Sequence, residues 1–320
     1  MKKRRTIGFL INDIDVSYSN LVYLMTKKAA EKYDCNLIIY EGRSFNNSSR
    51  ADSQHQISYG FVDSSRLDGI LMTSAPIASY ISDEEFIGFC KRYEGIPLVS
   101  LGIVVPHTTS IIIDNKQGMK SLIAHLIKDH GFRKVIYISG PPTNMDSIER
   151  MEAYYEVLAE NNIDVDTSLI FNGDFLAQSG YDVMKEIIKN GIEYDAVVCA
   201  NDEMALGAVK CIRDLKDAYN LDLTKKSIIC GFDDTVTSRL VKPSLTTVRQ
   251  PIEEMCFCAV ENLLKKIEGE KVDDVIRLSS VLVKRESCGC KGSSEASSVS
   301  DSSLRLVPGQ RIHEYIQTYS

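Results

Sequence analysis

Apolar residues in this chain form short runs separated by longer stretches with helical spacing, and the two alternate. Residues 6–11 (TIGFLI), 36–40 (NLIIY), 67–73 (LDGILMT) and 96–101 are short and aliphatic, the pattern of strands buried on both faces. After the first run, Tyr18, Val22, Met25 and Ala29 recur at helical spacing and give one apolar face. Ser82-Asp83-Glu84-Glu85 has the form of a capped helix start, and that helix is expected to run to Tyr93. The polar, serine-rich stretch 41–53 reads as a loop, with a further helix after it towards Val62. Asp114-Asn115, after Ile111-Ile112-Ile113, starts a helix that reaches Lys128.

From Phe132 the pattern begins again. Residues 133–139 (RKVIYIS) form a strand, Gly140-Pro141-Pro142 turns the chain, and 147–161 is a helix. A strand at 169–171 leads to Gly173-Asp174-Phe175 and a helix over 179–189. The run 196–200 is a buried strand. Asn201 and Asp202 follow it as a helix start, with Met204, Ala208, Cys211 or Ile212, and Leu215 on one face. Residues 227–231 are a strand, 244–250 (SLTTVRQ) extended, 252–269 a helix and 275–283 a strand. Strand and helix alternating over short connections predict an α/β protein with parallel sheets covered on both faces. Two such series in succession predict two doubly wound lobes. After Cys290 the chain turns serine-rich and loses its apolar period, so 291–320 reads as a linker or tail.

Composition narrows the function classes. The formal charge of −7 and pI near 5.4 argue against nucleic acid as the main partner, because phosphate affinity needs clustered Lys and Arg. The basic cluster Lys2-Lys3-Arg4-Arg5 reads as a solubilising terminus. No apolar run reaches the ~20 residues of a membrane span, and the N-terminus lacks the apolar core of a signal peptide. Nine cysteines, an odd number scattered through the elements, fit reduced thiols and a cytoplasmic location. Cys256/Cys258 and Cys288/Cys290 are C-x-C pairs. Neither is accompanied by a His-rich stretch or a second C-x-x-C, so no metal site and no cofactor are expected. His125 and His130 fall near a helix end and read as capping or solvated residues.

In doubly wound sheets, ligand-binding side chains lie just beyond the carboxyl ends of strands. By that rule the candidates are Asn12, Asp13, Tyr18, Thr73, Ser74, Arg150, Asp174, Phe175, Asn201, Asp202, Asp233 and Asp234. They offer one guanidinium fork, carboxylates, amides, hydroxyls and two aromatic faces, a set suited to a small polyhydroxylated or carboxylated solute. Each taken singly also has a structural reading; Asn201, for one, is a good helix cap. Of the adjacent Asp233 and Asp234, only one side chain would enter a crevice, since neighbours on a strand point to opposite faces. Catalytic signatures are missing: there is no G-x-S-x-G, no H-E-x-x-H and no phosphate-cradling glycine loop.

The motifs SGPPTNMDSIERMEAYYEVL, NGDF followed by SGY, ANDEMALGAV, GFDD, and SLTTVRQP followed by AVENLL occur in that order. Together they resemble the effector-binding core of the lactose/galactose repressor family, which has a type I periplasmic-binding-protein fold. The resemblance covers residues 6–290. It implies an N-terminal lobe from 6–129 plus 251–276 and a C-terminal lobe from 132–248 plus 280–290. Three crossover hinge segments would join them, near 129–132, 248–251 and 275–281. It also implies that Arg150 clamps hydroxyls or a carboxylate, that Phe175 packs against a sugar, and that Asn201, Asp233 and Gln250 are polar ligand contacts. Asn12, Asp13 and Tyr18 fall in the family's more variable first loop.

The family's repressors carry a helix-turn-helix and hinge helix ahead of the first strand. Here that strand begins near Thr6, so the DNA-binding head is not expected in this chain. RESCGC resembles the branch in which the sensor precedes an output module, such as a diguanylate cyclase, histidine kinase or arabinose-regulator-type DNA-binding domain. The resulting expectation is a cytoplasmic, non-enzymatic, homodimeric sensor. Its effector would be a sugar-like solute, or alternatively a nucleoside or amino acid. The alternatives are a stand-alone solute-binding protein of an importer and a cleft hydrolase. A mobility shift on mixed duplexes at low salt checks the DNA expectation: no sub-micromolar binding by this chain, since even non-specific association needs several phosphate-neutralising cations.

Overall fold

The computed structural model describes residues 4–46, 54–63, 65–221 and 228–290. The expected tail at 291–320 lies outside them. The chain divides into two units: 1–114 with 143–146 and 251–279, and 115–142 with 147–250 and 280–320.

The first unit is built on a six-stranded sheet. Its strands are β1 (Thr6–Ile11), β2 (Asn36–Glu41), β3 (Gly69–Thr73), β4 (Leu98–Leu101), β5 (Thr109–Ile113) and β11 (Val275–Leu278), in the order β11-β5-β4-β3-β1-β2. Every pairing is parallel. β3, β4 and β5 are buried at every position, as predominantly apolar strands covered on both faces are, with Thr73, Ser100, Thr109 and Ser110 buried among them. β2 differs: it is the edge strand, and Ile38 and Ile39 stay exposed despite the apolar run NLIIY. The helices Ser17–Lys32 and Ile252–Ile267 cover one face through Val22, Ala29, Met255, Ala259 and Leu263. A separate apolar cluster on Phe86, Phe89, Tyr59 and Tyr93 involves the helix Asp83–Cys90, whose capping box at Ser82 and Glu85 forms as the sequence predicts.

The second unit holds a four-stranded parallel sheet of β6 (Val135–Ser139), β7 (Ile170–Asn172), β8 (Ala196–Cys199) and β9 (Ile229–Cys230), in the order β7-β6-β8-β9. A two-stranded antiparallel ribbon pairs β10 (Thr247–Arg249) with β12 (Val281–Val283). Helices Ala177–Lys189 and Asp202–Leu215 cross closely, and two glycines permit it. A Cβ on Gly180 would strike the Met204 carbonyl, and one on Gly207 the Ala177 carbonyl.

Two features depart from the sequence reading. The helix Asn115–Lys128, expected with the N-terminal lobe, packs Met119, Leu122, Ile123 and Leu126 into the core of the second unit. Residues 275–283 are not one strand: β11 pairs parallel with β5 in the first unit, and after Ser279-Ser280 the chain resumes as β12 beside β10 in the second.

A buried carboxylate ties β8, β9 and β10 together. Asp202, at the start of the helix after β8, is fully buried. It accepts hydrogen bonds from Thr247 Oγ1 at 2.6 Å and from the Thr235 backbone N–H at 2.8 Å. Burial, more than the nearby Asp234, pushes its pKa up to about 7, while these hydrogen bonds pull it down. The unfolded chain releases this proton near pH 4, whereas the folded chain keeps it to about 7. Between those values unfolding releases a proton, so the contribution of this group to stability falls as pH rises and is flat above the folded pKa. Its slope is at most about 1.4 kcal/mol per pH unit. Urea unfolding of wild type and Asp202→Asn at pH 5, 6, 7 and 8 checks this: the decline between pH 5 and 7 should be shallower in the variant, and parallel profiles would refute the assignment.

Candidate functional site

In the second unit, three of the sequence-predicted residues, Arg150, Phe175 and Asn201, gather where β6, β7 and β8 end. Arg150 sits on the helix Met145–Glu160 that follows β6, with only 3% of its surface exposed. Its Nε donates to Asn115 Oδ1 at 2.9 Å, and a terminal nitrogen donates to the Ala200 carbonyl, just beyond β8, at 2.8 Å. The guanidinium lies 3.8 Å from the centroid of the Phe232 ring and 6.0 Å from that of Phe175. Among the described residues no carboxylate forms an ion pair with it, so its buried charge rests on two neutral oxygens and an aromatic face. Two of its five N–H donors are used in this way.

Asn201 does cap its helix: Oδ1 accepts from the Met204 N–H at 3.0 Å. The same amide reaches further, and its Nδ2 donates to the Phe175 carbonyl at 2.9 Å. Phe175 has φ +70°, a left-handed conformation that a large side chain adopts only when its surroundings hold it there. Asn201 supplies one hold and Gly140 another, since a Cβ at residue 140 would collide with the Phe175 ring. Asn201 therefore acts as cap and as a positioner of the aromatic residue.

The adjacent carboxylates in GFDD have different partners, but they lie in a turn beyond β9, so the alternation of a strand is not what separates them. Asp233 accepts from Gln250 Nε2 at 2.6 Å, which brings two more predicted residues together. Asp234 turns the other way and is enclosed by three guanidinium groups: Arg239 at 2.9 Å, Arg249 at 2.6 Å, and Arg285. Both have positive φ, 128° at Asp233 and 57° at Asp234. Asn115, Phe232 and Arg285 were missed by the strand-end reading. Asn115 follows β5 and starts a helix, the same signal that marks Asn201; Arg285 and Phe232 carry no comparable signal.

In the first unit the candidates lie beyond β1 and β3. Asn12 Oδ1 accepts from Ser19 Oγ at 2.8 Å. Asp13 pairs with the Arg43 guanidinium and caps the backbone at Asp15. Arg43 lies in the stretch read only as a loop, and its N–H donates to the Asn12 carbonyl at 2.8 Å. Tyr18 is half-buried in the first turn of the helix Ser17–Lys32. Thr73 and Ser74 at the end of β3 are buried. Thr73 Oγ1 donates to the Leu10 carbonyl at 3.4 Å, and Ser74 Oγ accepts from Ser100 Oγ at 2.7 Å. Internal bonding of this kind gives Ser74 a structural role.

One grouping runs against the sequence reading. The C-x-C pair Cys288/Cys290 was set aside as a metal ligand for want of a histidine partner. The structure brings His125 and His130 to it, with one ligand atom from each of the four residues all within 4.8 Å. Neither histidine is a simple helix cap. The other pair, Cys256/Cys258, lies on the helix Ile252–Ile267, and Cys256 packs in the core of the first unit.

Residues 123–288, just over half of the chain, match the family model of the periplasmic binding protein-like domain. The HTH-type transcriptional regulator GalR of Escherichia coli K12 is 30% identical over 211 residues, 66% of this chain and 60% of that protein. The chain thus spans less than two thirds of that regulator's length. Among solved structures, the complex of the transcriptional regulator CelR with cellobiose is similar with a TM-score of 0.74 at 24% identity, covering 90% of this chain and 86% of that one. The lac repressor dimer bound to operator and the anti-inducer ONPF gives a TM-score of 0.74 at 22% identity, over 89% and 94%. With two units of parallel α/β construction and this match over half its length, the chain belongs to the periplasmic binding protein-like family.

Proposed function

We propose that this chain is a cytoplasmic sensor for a small, sugar-like solute, which it holds with side chains at the carboxyl ends of its strands. The observation that carries the reading is Arg150. A guanidinium buried without a carboxylate is costly to keep, and most of its donors are left for a partner such as vicinal hydroxyls or a carboxylate. Phe175, held in a left-handed conformation, offers an apolar face beside it, and Asp233 with Gln250 offers an acceptor and a donor. The cellobiose bound in the CelR structure supports a sugar over a nucleoside or amino acid. Occupation of the site would change the arrangement of the two units, and an attached module for transcription control or signalling would read that change.

A thermal-shift screen with mono- and disaccharides, nucleosides and amino acids tests the reading. A true effector at a hundred times its Kd should stabilise the chain by about 2.7 kcal/mol. Arg150→Ala should weaken binding by about 1.5–3 kcal/mol, and Asp233→Ala should also lower the shift. Because Arg150 packs on Phe232, its variant will start from a lower melting temperature; the readout is the increment on adding ligand. Full increments in both variants would refute the assignment.

We also infer a homodimer, in keeping with the lac repressor dimer. Phe86, Phe89 and Cys90 on the helix Asp83–Cys90 are apolar but are buried in the chain's own core. A better-suited face lies at the edge of the first sheet. There Ile38 and Ile39 of β2 are exposed, and the 3-10 helix Gln56–Phe61 lying against β2 exposes Ile57 and Phe61 by 65% and 67%. Sedimentation should show a dimer at micromolar concentration and a monomer for Ile57→Glu combined with Phe61→Glu. A monomeric wild type at high micromolar concentration would refute it.

A further inference from the structure

We propose that His125, His130, Cys288 and Cys290 form a structural zinc site in the second unit, independent of the effector site. Four of the six distances among the ligand atoms are those of a tetrahedral shell, and all four atoms lie within 4.8 Å of one another. With zinc–sulfur bonds of about 2.3 Å and zinc–nitrogen bonds of about 2.0–2.1 Å, ligand atoms stand about 3.3 Å apart for two nitrogens and about 3.6 Å for nitrogen and sulfur. Here His125 Nε2 and His130 Nε2 are 3.2 Å apart. His125 Nε2 lies 3.5 Å from Cys288 Sγ and 3.6 Å from Cys290 Sγ, and His130 Nε2 lies 3.5 Å from Cys290 Sγ.

Hydrogen bonding alone accounts poorly for this arrangement. His125 Nδ1 lies 2.6 Å from Asp129 Oδ2, a contact that places the imidazole proton on Nδ1 and leaves Nε2 with a lone pair. That one lone pair faces three groups at once. A cation at their centre satisfies all four ligand atoms, and the Asp129–His125 contact becomes the carboxylate–histidine support common behind zinc ligands. Lys284 Nζ, 3.0 Å from the same Asp129 oxygen, fixes that carboxylate in turn. His130 stacks on Phe132 with ring centroids 5.3 Å apart, which sets its plane.

The sequence supplies the ligands in an unusual way. His125 and His130 close the helix Asn115–Lys128 and the turn after it, a spacing typical of zinc-binding histidines. The C-x-C gap is shorter than usual. It works here because a 3-10 turn, Glu286–Cys288, ends at Gly289 with φ +89°, and that left-handed step brings the second sulfur back beside the first. Binding releases two thiol protons, and the two thiolates then balance the charge of the ion: Zn²⁺ + 2 Cys–SH → Zn(S–Cys)₂ + 2 H⁺. Mixed imidazole and thiolate ligation favours zinc over magnesium or calcium. Four protein ligands leave no position for a substrate, so the role is to fasten residues 288–290 to the end of the helix Asn115–Lys128.

The test uses the full chain without a polyhistidine tag, reduced, loaded with zinc chloride and freed of excess. Elemental analysis should find one zinc per chain in wild type and in Cys258→Ser, which alters the other C-x-C pair. Cys290→Ser and His130→Asn should fall at least tenfold at the same free zinc. Titration of wild type with cobalt(II) gives a readout that does not depend on any variant folding. It should show intense tetrahedral visible bands with thiolate charge transfer in the near ultraviolet, saturating at one equivalent. A cobalt spectrum that stays that of the hydrated ion would overturn the site, as would zinc content unchanged by Cys290→Ser.

Discussion

Two buried carboxylates set the order of the second unit. A carboxylate taken out of water must either be neutralised or be surrounded, and this chain does one at Asp202 and the other at Asp234. Asp202 receives bonds from Thr235 and Thr247, while Asp234 gathers Arg239, Arg249 and Arg285. Between them they fasten β8, the GFDD turn, β10 and the segment after β12. Asp233 and Gln250 inherit their positions from this frame, since each is next in sequence to a fastened residue: Asp233 to Asp234, and Gln250 to Arg249.

The surroundings of Arg150 use the opposite electrostatic arrangement. Where Asp234 has three cations, Arg150 has no anion among the described residues, only Asn115, a carbonyl and two aromatic rings. Keeping a guanidinium buried without an anion is costly, and that cost is why Arg150 carries the proposed binding role. The contrast within one unit distinguishes the two kinds of buried charge more sharply than exposure does, because both are buried.

Much of this was legible in the sequence, and the legible parts share a cause. Buried parallel strands have to be continuous apolar runs, so strand ends can be found, and the rule about strand ends then selects Arg150, Phe175, Asn201 and Asp233. Asn201 caps its helix and also holds Phe175, because an amide has a donor and an acceptor to spend separately. What stayed hidden depends on neighbours distant in sequence. NLIIY looks like a central strand, and only the sheet order makes it an edge. The apolar face of Asn115–Lys128 does not say which core it joins. His125 and Cys288 are joined only by the fold, so no local spacing reveals them.

The interruption of the 275–283 stretch carries a mechanical consequence. Ser279 and Ser280 alone connect a strand registered against β5 to one registered against β10. A tether that short has no slack. Along this crossing only the torsions of two serines separate Leu278, paired with Ile113, from Val281, paired with Arg249. Lengthening the tether by a flexible residue or two would uncouple the ladders and leave each unit folded, so the stiffness of the connection can be altered separately from the stability of what it connects.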